Sequence, residues 1–226
     1  MKITKELLKE KGACSAGYRD FLKEYPVDKY PDGVEYQELL DCCAEKNFRY
    51  GSWLLGAFGK TDEIRKIEGD LIVEKGIIFA GWLEVKGCIK AGDGINAGSG
   101  IKAGDGIKAG WGIEAGYGIK AGAGIEAGYD IEAGDGIKAG RCIKAGLGIK
   151  AGDGIEAGEG IEAGSGIEAG RSIKAGGGIK AGDKFGIYAG LRCRITNKTL
   201  RKIIAKKRPE NIMCGEFEEK KDDAVR

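Results

Sequence analysis

Few residues of this chain have types and spacings suited to chemistry. There is no histidine among its 226 residues, so neither an imidazole general base nor an imidazole metal ligand is present. Seven cysteines, Cys14, Cys42, Cys43, Cys88, Cys142, Cys193 and Cys214, form an odd set without a CxxC pair. They read as buried or surface thiols, not as a metal or redox centre. Glycine is abundant, but GxxxxGK(S/T) is missing, and so is the strand, glycine loop and helix order that a phosphate loop requires. Asp93, Asp105, Asp135, Asp153 and Asp183 are scattered and read as solvated turn residues, not calcium ligands. No nucleophile, base and orienting group can be proposed together, so the expectation is a non-enzymatic protein without metal or cofactor. What remains is binding chemistry. Trp111, Tyr129 and Leu147 are evenly spaced along the chain and offer apolar contact to a protein partner. From Arg192 to Pro209 the basic residues Arg192, Arg194, Lys198, Arg201, Lys202, Lys206, Lys207 and Arg208 occur without an acid. That run has phosphate-binding chemistry, with Arg201, Lys202, Lys206, Lys207 and Arg208 as candidate nucleic-acid contacts. Glu216, Glu218 and Glu219 stand close enough in sequence to neutralise it.

The elements that must hold these residues follow from one phrase. From Ile89 to Ile179, Ile-(Lys/Glu/Asn)-Ala-Gly-x-(usually Gly) occurs sixteen times without a slip. An Ile and an Ala two residues apart share one side of an extended segment, and the charged residue between them faces the other. The following Gly-x-Gly supplies a bend. Each unit is a short strand plus a corner, so the chain is mainly β and winds into a hexapeptide-repeat parallel β-solenoid, stable only because neighbouring coils stack. Three strands per turn make a triangular coil of three units, and two make a flattened one of two units. Stacking on every third unit opposes charge in 8 of 12 neighbouring Lys/Glu pairs and aligns Trp111, Tyr129 and Leu147 in one column. Stacking on every second unit puts Tyr117 on Tyr129 instead. The triangle is the favoured reading, with about six coils and a rod of about 30 Å.

Three segments result. Residues 1–62 have helical texture, with Leu7, Phe21, Leu39 and Leu54 among the apolar positions and Gly12, Pro26, Pro31 and Gly59 as punctuation; they predict a four-helix N-terminal cap. Residues 63–190 are the solenoid. Its first units carry Val73, Phe79 and Val85 where Ala stands later, which predicts a wider first coil able to receive the helices. Residues 191–226 are expected to close the far end, with Phe185 and Tyr188 as a plug, an amphipathic helix over 197–208 carrying Leu200, Ile203 and Ile204, and an acidic tail. An open end would template aggregation through unpaired strand edges.

Lys plus Arg is 37 against 35 for Asp plus Glu, which excludes a globally basic nucleic-acid binder and an acidic mimic of nucleic acid. The charged amphipathic start and the lack of a long apolar run point to a cytoplasmic protein that does not enter a membrane.

The segments LLKEKGACSAGYRDFLKEYP and PDGVEYQELLDCCAE, the following SWLL and the GIKAGxGIEAG array resemble a group of uncharacterised proteins of bacteriophages and their bacterial hosts. Those proteins join a short helical "GAC…F…PDG" module to tandem repeats. The array also resembles bactofilins, whose six-residue strands make triangular solenoids that polymerise. The first resemblance implies a phage or mobile-element protein and carries no activity with it; the reading set on it is a protein-interaction scaffold that acts on a host or defence machine. The second implies self-assembly into a homo-oligomer. Binding of nucleic acid through the C-terminal basic helix is the third reading.

Overall fold

The computed structural model describes residues 1–191 and 198–220. It is a parallel β-solenoid of about eight turns with a small helical part at its N-terminus. Every strand of the array pairs in register with the strand three units away, Ile on Ile and Ala on Ala, so the coil is triangular. Tyr117 and Tyr129 stand at different corners, and the flattened two-strand coil is overturned. The three sheets hold seven, eight and nine strands. Sheet I contains Ile89–Ala91 and Ile107–Ala109, sheet II contains Ile95–Ala97 and Ile113–Ala115, and sheet III contains Ile101–Ala103 and Ile119–Ala121. At about 4.8 Å per strand the nine-stranded sheet spans about 38 Å.

The Ile and Ala rows are fully buried along the array and form one continuous core, while the residue between them faces out at nearly every strand. The first glycine of each phrase is needed for a reason other than bending. A Cβ on Gly110, Gly128 or Gly146 would collide with the carbonyl oxygen of the residue one coil below, whereas none of the three has a positive φ. The second glycine is freer, its Cβ meeting backbone only at 3.2 Å at Gly136. That position accordingly admits Cys88, Asp130, Cys142 and Ser172.

The N-terminal part has four helices, α1 (Lys5–Glu10), α2 (Ser15–Glu24), α3 (Tyr36–Lys46) and α4 (Phe48–Phe58), with a two-stranded pair of Lys2–Ile3 and Val34–Glu35. Thr4 caps α1 by accepting from the Leu7 N–H, and the Cys14 thiol accepts from Gly17 at the start of α2. Ile3, Leu8, Phe21, Leu39, Leu40 and Leu54 form a core of their own, which takes in Ile78 and Ala80 from the solenoid. The helices therefore dock on the outer face and open edge of sheet II; they do not fill a widened end of the solenoid core. Gln37 works as a substitute strand there. Its Nε2 donates to the Ile78 carbonyl at 2.8 Å and its Oε1 accepts from the Ala80 N–H at 3.1 Å. The Gly76 N–H of the same edge donates to the Ala44 carbonyl of α3 at 3.2 Å. Phe79 of the first coil is buried, with the Arg65 guanidinium 4.6 Å from its ring.

The far end also departs from expectation. In place of a helix over 197–208 there is a 3-10 turn at Lys198–Arg201 followed by a strand, Lys202–Ala205, that continues sheet III with Ile203 and Ala205 inside. Ile212–Cys214 and Glu216–Glu219 add further strands to sheets II and III. Tyr188 faces outward in the strand Ile187–Ala189 and Phe185 is exposed, so neither plugs the core. The two extra residues form a turn, with Phe185 N–H donating to Gly182, that lets Ile187 rejoin the inner row.

Candidate functional site

Each corner side chain leaves the solenoid between two sheets and is held by backbone bonds to the corners above and below. The Tyr129 N–H donates to the Trp111 carbonyl at 3.3 Å, and the Leu147 N–H to the Tyr129 carbonyl at 3.1 Å. Trp111, Tyr129 and Leu147 thus form one column at the corner of sheets I and II, 44%, 51% and 42% exposed. The helices cover only its beginning. Phe48, the first residue of α4, meets Trp111 edge to face at 6.3 Å, while the ring of Tyr129 and the side chain of Leu147 stay open. Phe48 extends the apolar row by one step, which the sequence alone did not reveal.

A second aromatic group lies across the molecule. At the corner of sheets II and III Trp82 stacks on Tyr117, 5.5 Å apart and 14° from parallel, and the Lys60 ammonium sits 3.3 Å from the centre of the tyrosine ring. Beside it the outward positions of sheet III hold Lys102, Lys120 and Lys138 on three successive strands.

Charge is distributed unevenly. Of the twelve Lys/Glu neighbours within the array, four are alike: Lys90 with Lys108, Glu114 with Glu132, and Lys120 with both Lys102 and Lys138. All four lie between residues 90 and 138. From Lys138 onward every neighbour is opposite in sign. Glu114 is held by the Asn96 amide, whose Nδ2 donates to it at 2.7 Å and to Ser52 of α4 at 3.3 Å. Desolvation beside α4, with the Glu132 charge next to it, pushes the Glu114 carboxyl above the usual range.

The basic C-terminal residues are not gathered on one face. Lys202 is ion-paired with Glu218, and Arg201 reaches the Cys214 sulfur at 3.9 Å. The Arg208 guanidinium lies 5.7 Å from the ring of Phe217. Lys206 and Lys207 are exposed in the irregular crossing between strands. Arg192, Arg194 and Cys193 lie outside the described residues. Cys14, Cys42 and Cys43 line a cavity of about 290 Å³ in the helical part with Leu8, Phe21 and Trp53. Burial pushes the Cys43 thiol up to about 12, so it stays protonated and inert at neutral pH. Among the described residues no group of three His, Cys, Asp or Glu is placed to hold a metal, and no helix is long and apolar enough to cross a membrane. Comparison with protein-family models, with curated proteins and with solved structures returns no match.

Proposed function

We propose that this protein is a non-enzymatic scaffold that presents a ruled, rigid surface to a protein partner, with the column Trp111, Tyr129 and Leu147 as its contact. The observation that carries this reading is the exposure of three large apolar side chains in one row on a backbone that cannot collapse to hide them. Such a row enters an interface at little entropic cost, because its spacing is already fixed by coil stacking. On this reading the partner is a component of a host or defence machine in the cytoplasm.

The test replaces Trp111 and Tyr129 together by serine. Quantitative affinity capture from host lysate should lose a defined partner while the melting temperature stays within a degree or two of the parent, because corner side chains lie outside the Ile/Ala core. The same set of captured proteins from both forms would sink the reading.

Self-assembly is the second reading, and the start of the solenoid favours it. The edge strands Ile64–Ile67 and Leu71–Val73 carry exposed Ile64 and Ile72. Exposed strand edges of this kind pair with other chains. Light scattering after size exclusion separates a discrete small species from a filament. Binding of nucleic acid through a basic helix loses its support, since the strand Lys202–Ala205 stands where that helix was expected.

A further inference from the structure

The lysines of sheet III carry an inference independent of the corner column. Lys102, Lys120 and Lys138 point outward from three stacked strands in direct register, about 4.8 Å apart at the backbone. Like charges placed directly opposite on neighbouring strands oppose folding, and the repeat could have avoided this with a single glutamate at position 120, as it does in every later row. Lys138 has a carboxylate, Glu156, at 3.1 Å, and Lys102 stands in register beside Glu84 of the preceding coil without an ion pair to it, whereas Lys120 has a lysine on each side and no ion pair among the described residues. A shallow trough of about 580 Å³ runs along this face from Trp82 to Lys174. The Trp82–Tyr117 stack lines it at one end, with Lys60 over the tyrosine ring. Arg141, at the corner that follows Lys138, adds to the positive side.

We infer that this lysine ladder, centred on Lys120, is a docking strip for an acidic segment of a partner protein, whose carboxylates supply the counter-charge that neither neighbouring coil gives Lys120. The strip is one strand wide and is bordered by Asp105 and Asp135 at its two corners. Those carboxylates repel the continuous charge of a phosphodiester backbone more than they repel separate, adjustable side chains. The aromatic pair is also spent: one face of Tyr117 meets Trp82 and Lys60 sits over the ring, so no free platform is left for bases to stack on. Protein is therefore the class favoured.

The test is charge reversal at two lysines with equal change in net charge. Lys120→Glu breaks the ladder, and Lys144→Glu, between Glu126 and Glu162 on sheet I, does not touch it. Binding of a fluorescein-labelled oligoglutamate peptide is followed by anisotropy at low and raised salt, beside an oligothymidylate of matched charge. Lys120→Glu should weaken peptide binding about tenfold or more while leaving the melting temperature unchanged or higher, since it relieves like-charge stacking. Lys144→Glu should leave binding unchanged and lower the melting temperature. Equal loss in both variants, or loss in neither, would overturn the docking strip. Tighter, Lys120-dependent binding of the oligothymidylate would overturn the assignment to an acidic protein.

Discussion

Between Ile89 and Ala139 the outward positions read Lys, Asn, Lys, Lys, Glu, Lys, Glu, Glu, Lys; between Ile143 and Lys180 they read Lys, Lys, Glu, Glu, Glu, Lys, Lys. The two stretches have the same buried Ile and Ala rows and the same strand register. The Ile/Ala core that winds the solenoid is common to both, so the differences lie at outward and corner positions, of which Asn96 and Trp111 meet the helices and Lys102, Lys120 and Lys138 do not. In the later stretch each outward charge faces its opposite on at least one neighbouring coil, as a stable ladder should. The earlier stretch keeps like charges together, carries Trp111, Tyr117 and Tyr129 at its corners and receives the helices. A local rule is broken in one place and kept in another on an otherwise uniform scaffold, and it is in the first of these that we propose binding has a claim on the surface.

The comparison can be broken most severely at the helices. A chain lacking residues 1–58 would expose Ile78 and strip the partners from the Gly76 and Ala80 N–H groups and the Ile78 carbonyl. It should aggregate, as light scattering would show; a monomeric, fully folded product would mean that the helices are not needed to protect the edge of sheet II. Next in size are changes to the shared core. Ala139→Leu in the earlier stretch and Ala163→Leu in the later one should each cost on the order of 1–3 kcal/mol in denaturant unfolding. The costs should be alike, since both residues are fully buried in the same kind of row; a large difference would show that the two stretches do not share one core.

The corner glycines sharpen the same point. Gly128→Ala should destabilise by about 1–3 kcal/mol through the clash with the Gly110 carbonyl. Gly136→Ala should stay within about 0.5 kcal/mol, and equal losses would show that the bend, not the close approach, demands glycine. The smallest effect concerns Glu114. Its carboxyl titrates above its unfolded value, so the folded form holds the proton more tightly. That contribution to stability is present at acid pH and is lost as pH rises through the raised value. Glu114→Gln should therefore be slightly more stable than the parent at neutral pH, with the gain disappearing as the pH falls below the ordinary carboxylate range. A gain that persists unchanged in acid would remove the electrostatic explanation.

Much of the solenoid was legible because its signal repeats. The Ile-x-Ala phrase names the buried row at every strand, and the recurrence of Trp111, Tyr129 and Leu147 at every third unit pointed to three strands per turn. The C-terminal strand is legible too, for Ile203-Ile204-Ala205 follows the same phrase, but the spacing of Leu200, Ile203 and Ile204 among basic residues reads equally as an amphipathic helix. Phe217 then takes the isoleucine place one coil further on. Gln37 could not be read. An amide on a helix gives no sign that it will lie along a strand edge, because its role depends on where α3 docks. The lysine ladder was half visible: counting opposed charges found the four exceptions, but only the register shows that they share one stretch.

The threefold coil gives the phrase a further property. Because one unit covers one side and three units close a turn, gain or loss of three units together would lengthen or shorten the rod and leave both ends facing as before. Gain or loss of a single unit would turn the C-terminal strands by a third of a revolution relative to the helices, with every Ile still inside. Copy number in this gene segment is thus a dial as well as a ruler, able to re-aim one end of the molecule against the other without changing a single buried contact type.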